Sequence, residues 1–363
     1  MSRPTVAVLF GGRSTEHGVS CVTAGGVLEA IDRDAWEVVA IGIAEDGQWT
    51  LASDDPDAWR IRHGELPHVI GGGDTVLLPA RAGDRTWRVE RGDGRLEDLA
   101  EIDVVFPLLH GPWGEDGTVQ GAFELVDIRY VGAGVLASAL GMDKEFGKIV
   151  FRAAGLPVAR GIVARSLADA RSHRAEIEAL SLPVFVKPAR AGSSMGVSKV
   201  GSWEELDAAL AGALKHDAKV LIEEGIVGRE VECAVLETPD GVRVSPPGEI
   251  VTGGDHAFYD YEAKYFDEES VTLSCPVELP ADIVETIQDY ARRAFVAIGG
   301  EGIARVDTFV KADGSVVINE INTMPGFTPF SMYPRMWAVA GLDYRALVET
   351  LMRTALDRPV GLR

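Results

Sequence analysis

The chain has 363 residues, of which 46% are hydrophobic and 25% charged, proportions typical of a globular protein with two or three domains. Its formal net charge is −21 at pH 7, and so acidic a surface repels nucleic acid and anionic lipid, which argues against both as partners. The three cysteines have no paired or metal-like spacing, which favours a reducing compartment. The N-terminus lacks a secretory leader and no apolar run approaches the ~18 residues of a membrane span, so we predict a cytoplasmic protein.

The first third of the chain has the pattern of an α/β domain. The segment TVAVLFGG predicts a buried parallel strand, STEHGVSCVTAGGVLEAI a helix, and WEVVAIGIAEDG a second strand. Residues 51–100 are rich in Gly, Asp and Arg and predict an insertion of short strands and loops; DVVFPLLHGPWGEDG and IRYVGAG then restore the alternation of strand and loop. We therefore predict an open, mostly parallel sheet over residues 1–133, with ligands at the strand ends, where Glu16, His17 and His110 lie.

The pattern changes after Ser138. The segment DKEFGKIVFRAAGLPVA predicts a helix, and PVFVKPARAGSSMGVSKV predicts two strands joined by a loop of small residues. VLIEEGIVGREVECAVLE predicts a strand, a short link and another strand, and the last third alternates strands with helices. These changes place domain boundaries near residues 133 and 224.

The segment VINEINTMPGFTPFS carries two polar side chains on an apolar strand. Glu320 and Asn322 are two residues apart and so share a face, and the same parity aligns Arg305 with Asp307 and Phe309 in GIARVDTFV. If the strands are neighbours, two carboxylates ~4 Å apart would repel by about 4 kcal/mol at an effective dielectric of about 20. A divalent cation with oxygen ligands, above all Mg²⁺, turns that repulsion into attraction. The alternatives are an edge strand with solvated polar residues and an internal Arg305–Asp307 ion pair.

The loop KPARAGSSMGVS is a candidate anion-binding loop. Its small residues, Ser193 and Ser194 among them, can bring backbone N–H groups and hydroxyls close to a phosphate, and Lys187 precedes it. The loop does not follow the Walker pattern, and a plain hairpin tip is the alternative. Lys144, on the predicted helix, is a further phosphate candidate, with a solvated surface lysine as its alternative.

Three other segments carry candidate residues. In IEEGIVGRE, Glu223, Glu224 and Glu230 could bond an amino group and sugar hydroxyls, or form an acidic surface. Residues 255–270, with Lys264 and Tyr265, predict either a lid or a surface loop. FGGRSTEHGVS lacks the G-x-G-x-x-G spacing and the acidic residue of a dinucleotide fold, and no Cys or His cluster indicates a transition metal.

Eight motifs, taken together and in this order, resemble those of the D-alanine–D-alanine ligases of the ATP-grasp superfamily. They are FGGRSTEHGVS, HGPWGEDGTVQG, MDK, VKPARAGSSMGVSKV, VLIEEGIVGREVECAVL, FYDYEAKY, GIARVDTF and NEINTMPGFTPFSMYP. The resemblance covers nearly the whole chain and implies a three-domain α/β ATP-grasp fold with an N-terminal open parallel sheet. It implies an N-terminal substrate-binding domain at 1–133, a central ATP-grasp subdomain at 134–223 and a C-terminal catalytic domain at 224–363.

The resemblance also implies an ATP site between the central and C-terminal domains. Lys144 and Lys187 correspond to phosphate-binding lysines, and Ser193 and Ser194 lie in the loop over the phosphates. The positions that match the family's ATP-binding residues are Lys144, Lys187, Ser193, Ser194, Glu223, Glu224, Ile226, Glu230, Phe258, Lys264 and Phe309. Asp307, Glu320 and Asn322 match ligands of two Mg²⁺ (or Mn²⁺) ions, with Glu320 bridging them. K⁺ enters only through the resemblance.

The amino-acid sites follow in the same way. Glu16 matches the residue that receives the ammonium group of the first D-alanine, and Glu16, Ser193 and Tyr265 resemble the hydrogen-bonded triad that fastens the lid. Arg305 and the Gly326 N–H match the oxyanion site. Positions that match the family's substrate-binding residues are Glu16, His110, Arg305, Asn322, Gly326, Ser331 and Met332.

The function implied is the ATP-dependent joining of two D-alanine molecules through an acyl phosphate, in a homodimer that supplies peptidoglycan precursors. A D-alanine–D-lactate ligase is the nearest rival, and Tyr265 in YEAKY favours the dipeptide enzyme. A non-catalytic nucleotide-binding protein on the same scaffold is the second rival. Loss of a metal ligand or of the oxyanion arginine would favour that rival, and this chain keeps both.

Overall fold

The computed structural model describes residues 3–252 and 271–361. Its N-terminal sheet has the order β3-β2-β1-β7, and β1 pairs in parallel with β2 and β7. The strands are β1 (Thr5–Gly11), β2 (Glu37–Ile43), β3 (Trp49–Leu51) and β7 (Val104–Pro107). From Val6 to Gly11 every residue of β1 is buried, as expected of a central parallel strand covered on both faces. The open, mostly parallel sheet predicted from the sequence is therefore confirmed.

The predicted insertion is a small antiparallel sheet beside the parallel one. Its order is β4-β5-β6, and a short 3₁₀ helix, Pro56–Trp59, precedes it. The strands are β4 (Thr75–Leu77), β5 (Thr86–Glu90) and β6 (Leu96–Glu101). The strand predicted in IRYVGAG is wrong: Tyr130 forms only an isolated bridge with Val105, since the chain turns away after one residue. The helices of this region are α1 (His17–Ala30) and α2 (Thr118–Glu124).

A second, antiparallel sheet has the order β10-β9-β11-β8 and its own apolar core. Val184, Val186, Val220 and Ile222 lie in that core, packed against Leu210 of helix α7. The strands are β8 (Gly161–Ala164), β9 (Val184–Pro188), β10 (Ser198–Val200) and β11 (Val220–Glu224). The helices are α5 (Leu167–Ser172), α6 (Arg174–Glu178) and α7 (Leu206–Ala213). We call this unit the central sheet.

The third sheet is the largest, with the path β15-β14-β12-β16-β17 and β13 paired to β12. The strands are β12 (Arg229–Thr238), β13 (Gly241–Val244), β14 (Gly248–Thr252), β15 (Val271–Ser274), β16 (Ile303–Val310) and β17 (Val316–Asn322). Helix α8 (Ala281–Ala297) covers one face, and α9 (Met332–Val339) and α10 (Tyr344–Asp357) follow the sheet. We call this unit the C-terminal sheet.

The cores show how the three sheets are joined. One core combines the N-terminal sheet with the C-terminal helices, through Phe10, Trp36, Phe327, Trp337 and Leu347. Helices α3 (Val135–Met142) and α4 (Lys144–Ala153) contribute Ala137 and Phe151 to the core of the C-terminal sheet. The domain boundaries given above stay predictions. Among the described residues, no helix is long and apolar enough to cross a membrane.

Candidate active site

A cleft of about 1740 Å³ lies where the loops of the N-terminal sheet, the central sheet and the C-terminal sheet meet. Eighteen of the predicted site residues line it. They are Glu16, His110, Lys144, Lys187, Ser193, Ser194, Glu223, Glu224, Ile226, Glu230, Arg305, Asp307, Phe309, Glu320, Asn322, Gly326, Ser331 and Met332. Phe258, Lys264 and Tyr265 lie outside the described residues. The roles assigned to all of these residues stay predictions.

Strands β16 and β17 bring the predicted metal ligands together. Asp307 pairs directly with Glu320, and Arg305 pairs with Asn322. A β-bulge follows, because Thr308 pairs with Ile318 rather than with the next residue along. Bulges re-aim side chains next to active sites. Here the bulge turns Asn319, as well as Glu320, towards the cleft.

Arg305 forms the ion pair that the sequence left open as an alternative. Its Nε and Nη2 donate to the two oxygens of Asp307 at 2.6 and 2.7 Å, and Nε lies 3.1 Å from Glu232 Oε1. Asn322 Nδ2 donates to Asp307 Oδ2 at 3.0 Å. Burial alone would lower the pKa of Arg305, but Asp307 and Glu232 hold it well above its usual range. A carboxylate has about four lone-pair sites, so these bonds leave Asp307 able to accept further partners.

Lys144 makes the next contact along the cleft. Its Nζ lies 3.1 Å from Glu320 Oε2 and donates to the carbonyl oxygen of Ala191 at 2.9 Å. Burial would raise the pKa of Glu320, but Lys144 and Lys187 more than offset this and lower it to about 2. Glu320 is therefore an anion at neutral pH.

Glu223 holds two lysines at the far end of the cleft. Lys187 Nζ pairs with Glu223 Oε2, and Lys148 Nζ lies 2.7 Å from Oε1. Both Lys148 and Glu223 are almost fully buried. Burial would raise the pKa of Glu223, but the two ammonium groups lower it to about 2. For Lys148 burial dominates and lowers the pKa to about 8.

The link between β11 and β12 forms the adjoining wall. Glu224 bonds Arg160 twice, accepting from its backbone N–H and from Nε, each at 2.8 Å. Its side chain is thus engaged with the central sheet. Glu230 on β12 pairs with Phe309 on β16. Ile226 belongs to the link between β11 and β12 and lines the cleft.

The loop at 191–196 reaches across to the N-terminal sheet. Ser193 Oγ donates to Glu16 Oε1 at 2.5 Å. Ser193 and Ser194 adopt left-handed backbone conformations with φ of 47° and 56°, which is uncommon outside glycine and typical of loops shaped for function. At Gly192 an added Cβ would lie 2.8 Å from Glu16 Oε2, so a side chain there would force the Glu16 carboxylate to move. Glu16 precedes α1, but its side chain makes no capping bond.

His110 and Glu115 connect the N-terminal sheet to the end of β17. His110 Nδ1 lies 3.1 Å from the carbonyl oxygen of Met324, which can only accept, so Nδ1 carries the proton. Burial lowers the pKa of His110. Glu115 accepts from the backbone N–H groups of Gly111 and Met324, each at 2.9 Å. Burial raises the pKa of Glu115 to about 8.

The turn before α9 completes the cleft. Ser331 Oγ accepts from the Thr328 N–H at 3.1 Å and lies 2.8 Å from Thr328 Oγ1. An added Cβ at Gly326 would meet this hydroxyl at 3.3 Å, so Gly326 backbone and Ser331 side chain are in contact range. Met332, the first residue of α9, is buried.

Two family models match the chain: "D-ala D-ala ligase N-terminus" over residues 5–133 and "D-ala D-ala ligase C-terminus" over residues 150–353. The D-alanine–D-alanine ligase of Paenarthrobacter aurescens is 54% identical over 367 residues, covering 99% of this chain and 97% of the relative. The chain belongs to the D-alanine–D-alanine ligase family. This confirms the predicted family, and with it the enzymatic function.

Solved structures agree with this family. The VanG D-Ala:D-Ser ligase of Enterococcus faecalis superposes with a TM-score of 0.84 at 36% identity, covering 98% of this chain and all of that one. The D-alanine–D-alanine ligase of Coxiella burnetii gives a TM-score of 0.80 at 32% identity, covering 99% of this chain and 95% of that one. The predicted α/β ATP-grasp fold is thereby confirmed.

Three polar residues in or next to the cleft of this ligase were not predicted from the sequence. They are Asn319, Lys148 and Glu115. Asn319 was missed because strand parity assigns it to the core face, and only the bulge reverses that. Lys148 is four residues after Lys144, and this helical spacing was the available signal. Glu115 lies inside HGPWGEDG, where nothing distinguishes it from the neighbouring Asp116.

One cluster of possible metal ligands among the described residues lies outside the cleft. His17, Glu45 and His68 have potential ligand atoms within 4.8 Å of one another. His17 Nδ1 bonds the carbonyl oxygen of Gly12 at 2.6 Å, and Nε2 accepts from the Val69 N–H at 2.9 Å. Because both ring nitrogens are used, His17 has none left for a metal.

Proposed function

We propose that this cleft catalyses the ATP-dependent ligation of two D-alanine molecules to D-alanyl-D-alanine, with release of ADP and phosphate, for peptidoglycan precursors. One observation carries the proposal. The oxygens of Asp307, Glu320 and Asn322 gather on paired strands, and the ammonium groups of Lys144 and Lys187 face the same cleft. Opposite charges are thus arranged where a polyphosphate and its counter-ions would meet.

The donor set fits magnesium or manganese. Asp307, Glu320 and Asn322 offer only oxygen ligands, the chemistry that hard divalent cations prefer, and the two carboxylates keep unused lone pairs. Held by these residues, such ions would neutralise charge on the phosphates of ATP and on the transferring group.

The nucleotide would lie between the central and C-terminal sheets. Glu223 and the link that follows it accept hydrogen bonds from the adenine amino group, and Glu230 accepts hydrogen bonds from the ribose hydroxyls. Phe309 flanks the base. Lys144 and Lys187 bind the phosphates, which requires each to exchange a carboxylate partner for a phosphate oxygen.

The phosphate end of the site is covered by the 191–196 loop. Ser193, Ser194 and Gly196 have left-handed backbone conformations, which occur in loops whose backbone N–H groups bind anions. Ser193 and Ser194 line the cleft beside Lys187. Catalysis of the first step, transfer of the terminal phosphoryl group to the first D-alanine carboxylate, is then mainly positioning and charge neutralisation.

The two amino acids occupy the other end of the cleft. Glu16 binds the ammonium group of the first D-alanine, next to the neutral His110. Ser331 and the backbone of Met332 bind the carboxylate of the second, whose amine attacks the acyl carbon and expels phosphate. The oxyanion formed is stabilised by Arg305 and the Gly326 N–H. Arg305 is already held in place by Asp307 and Glu232, so it needs no reorganisation as charge develops.

A cytoplasmic location and a homodimer are part of the same proposal. Composition and cysteine usage support the first, and the family resemblance supports the second. Size-exclusion chromatography with light scattering distinguishes a dimer of this chain from a monomer.

The test is ADP release that depends on D-alanine, followed by mass analysis of the product with D-alanine, D-serine or D-lactate as second substrate. Glu320→Gln should reduce D-alanine-dependent ADP release by at least about 100-fold in a variant that still folds, because a charged ligand becomes neutral. Glu285→Gln, on an exposed face of α8, is the matched control and should behave like the parent. A near-parental rate for Glu320→Gln would remove the metal assignment.

A further inference from the structure

Two residues just before β11, Asp217 and Lys219, lie behind the cleft without lining it. Both are buried, at 8% and 7% exposure, in the segment HDAKV. A buried lysine must be paired or lose its charge, so the partners of Lys219 indicate what it is for.

Lys219 holds the first turn of helix α4. Its Nζ donates to both carboxylate oxygens of Asp143, at 2.7 and 2.5 Å, and to Glu145 Oε2 at 2.8 Å, and it lies 4.5 Å from the centre of the Phe146 ring. Asp143 is the N-cap of α4, and its Oδ1 accepts from the N–H groups of Glu145 and Phe146. Lys144 is the first residue of that turn.

The main chain of Lys219 is bonded to Lys144 through one intermediate residue. The Ala189 N–H donates to the carbonyl oxygen of Lys219 at 2.9 Å, and the Lys144 N–H donates to that of Ala189 at 3.0 Å. The Lys144 side chain then donates to the carbonyl oxygen of Ala191, at the base of the phosphate loop. Hydrogen bonds therefore connect Lys219, which precedes β11, through Ala189 to Lys144, and Lys144 to the 191–196 loop.

Asp217 fixes the other side of the same loop. It accepts from the Arg190 N–H at 2.9 Å, from Arg190 Nε at 3.1 Å and from Nη2 at 2.6 Å. It also accepts from the Lys219 N–H at 3.0 Å. Arg190, which precedes the loop, is thus held by Asp217, two residues before the Lys219 that holds the start of α4.

We propose that Lys219 is a positioning residue for Lys144, and that it keeps the Lys144 ammonium available to the nucleotide phosphates. The inference rests on the phosphate-binding role proposed for Lys144. Lys219 neutralises Asp143 and Glu145, the two carboxylates that flank Lys144 in the chain. Without Lys219 those carboxylates compete for Lys144, and the first turn of α4 loses its attachment to the central sheet.

The experiment measures dissociation constants for ADP and for adenosine by calorimetry or NMR titration. Lys219→Met should weaken ADP binding about tenfold or more, the loss expected for a misplaced charged hydrogen bond, and should change adenosine binding less than about twofold. Lys219→Arg should restore ADP binding. Lys215→Met, an exposed lysine four residues away, is the control and should bind both ligands like the parent.

A double-mutant cycle separates this inference from the role of Lys144 itself. In a Lys144→Ala background, Lys219→Met should change the ADP affinity by less than about twofold, because residues acting through one group are not additive. Equal losses in both backgrounds, or equal losses for ADP and adenosine, would show a merely structural lysine and overturn the inference. If Lys144→Ala leaves ADP affinity unchanged, the proposed role of Lys144 fails and the inference fails with it. Should Lys219→Met not fold, the charge-balanced Lys219→Met/Asp143→Asn, which keeps a good N-cap, replaces it in the cycle.

Discussion

Replacing Lys148 with Met tests how much the buried Lys148–Glu223 ion pair stabilises the part of the cleft proposed to bind the nucleotide. Lys148 and Glu223 are 3% and 4% exposed, and their charged atoms are 2.7 Å apart. At that distance and an effective dielectric of about 20, the attraction lost is about 6 kcal/mol. Relief from burying an ammonium offsets part of this loss. Breaking a buried pair typically costs ~3–5 kcal/mol.

The low end of that range applies here because Glu223 keeps Lys187 on its other oxygen. Lys148→Met should therefore lower the free energy of unfolding by about 3 kcal/mol. With its second partner gone, Glu223 holds Lys187 more tightly, so the KM for ATP should rise about tenfold, which corresponds to ~1.4 kcal/mol.

The assays are urea unfolding at neutral pH and the KM for ATP in the ADP-release assay. Lys199→Met, an exposed lysine on β10, is the control for loss of one positive charge. The double variant Lys148→Met/Glu223→Gln should not recover the lost stability, since the largely buried Lys187 ammonium would then lose its carboxylate partner. A stability loss below about 1 kcal/mol together with a parental KM would refute the reasoning, because it would mean that water screens the ion pair in solution.

Two further predictions concern Tyr265 and Glu115. Tyr265→Phe, outside the described residues, should raise ATP hydrolysis without dipeptide formation or the KM for D-alanine, as the resemblance to the family's triad implies; kinetics equal to the parent would exclude that triad. Burial raises the pKa of Glu115 to about 8, so between pH 4.5 and 8 the folded protein keeps a proton that the unfolded chain loses, and stability falls as pH rises. Glu115→Gln should remove that slope. As the pH rises from 4.5 to 8, the free energy of unfolding of the variant should increase relative to that of the parent by up to about 1.4 kcal/mol per pH unit. Parallel pH curves for the two proteins would contradict the prediction.

Strand parity predicted which side chains of β16 and β17 share the face that lines the cleft. Glu320 and Asn322 share a face, as do Arg305 and Asp307, and the structure pairs the two sets directly. This could be read from the sequence because side-chain direction alternates strictly along a regular strand. Asn319 could not, because one extra residue in a strand is fixed by how the partner strand and the packing below accommodate it.

The buried ion pairs were also beyond the sequence. Lys148 and Lys219 look like ordinary surface lysines in a chain with 35 basic residues, and only tertiary packing removes them from water. The fold was easier to predict, because continuous apolar strands and Gly-rich turns are local signals. The bridge at Tyr130, predicted as a strand, shows where local signal fails: its pairing ends when the chain turns.

The division of the apolar cores separates the central sheet from the other two sheets. Among the described residues, the N-terminal sheet and the C-terminal helices share one core, whereas the central sheet keeps its own. The hydrogen bond from Ser193 to Glu16 and the buried ion pair of Lys219 with Asp143 join the central sheet to its neighbours. Movement of the central sheet relative to the other two would therefore break polar contacts without opening an apolar core of the described residues.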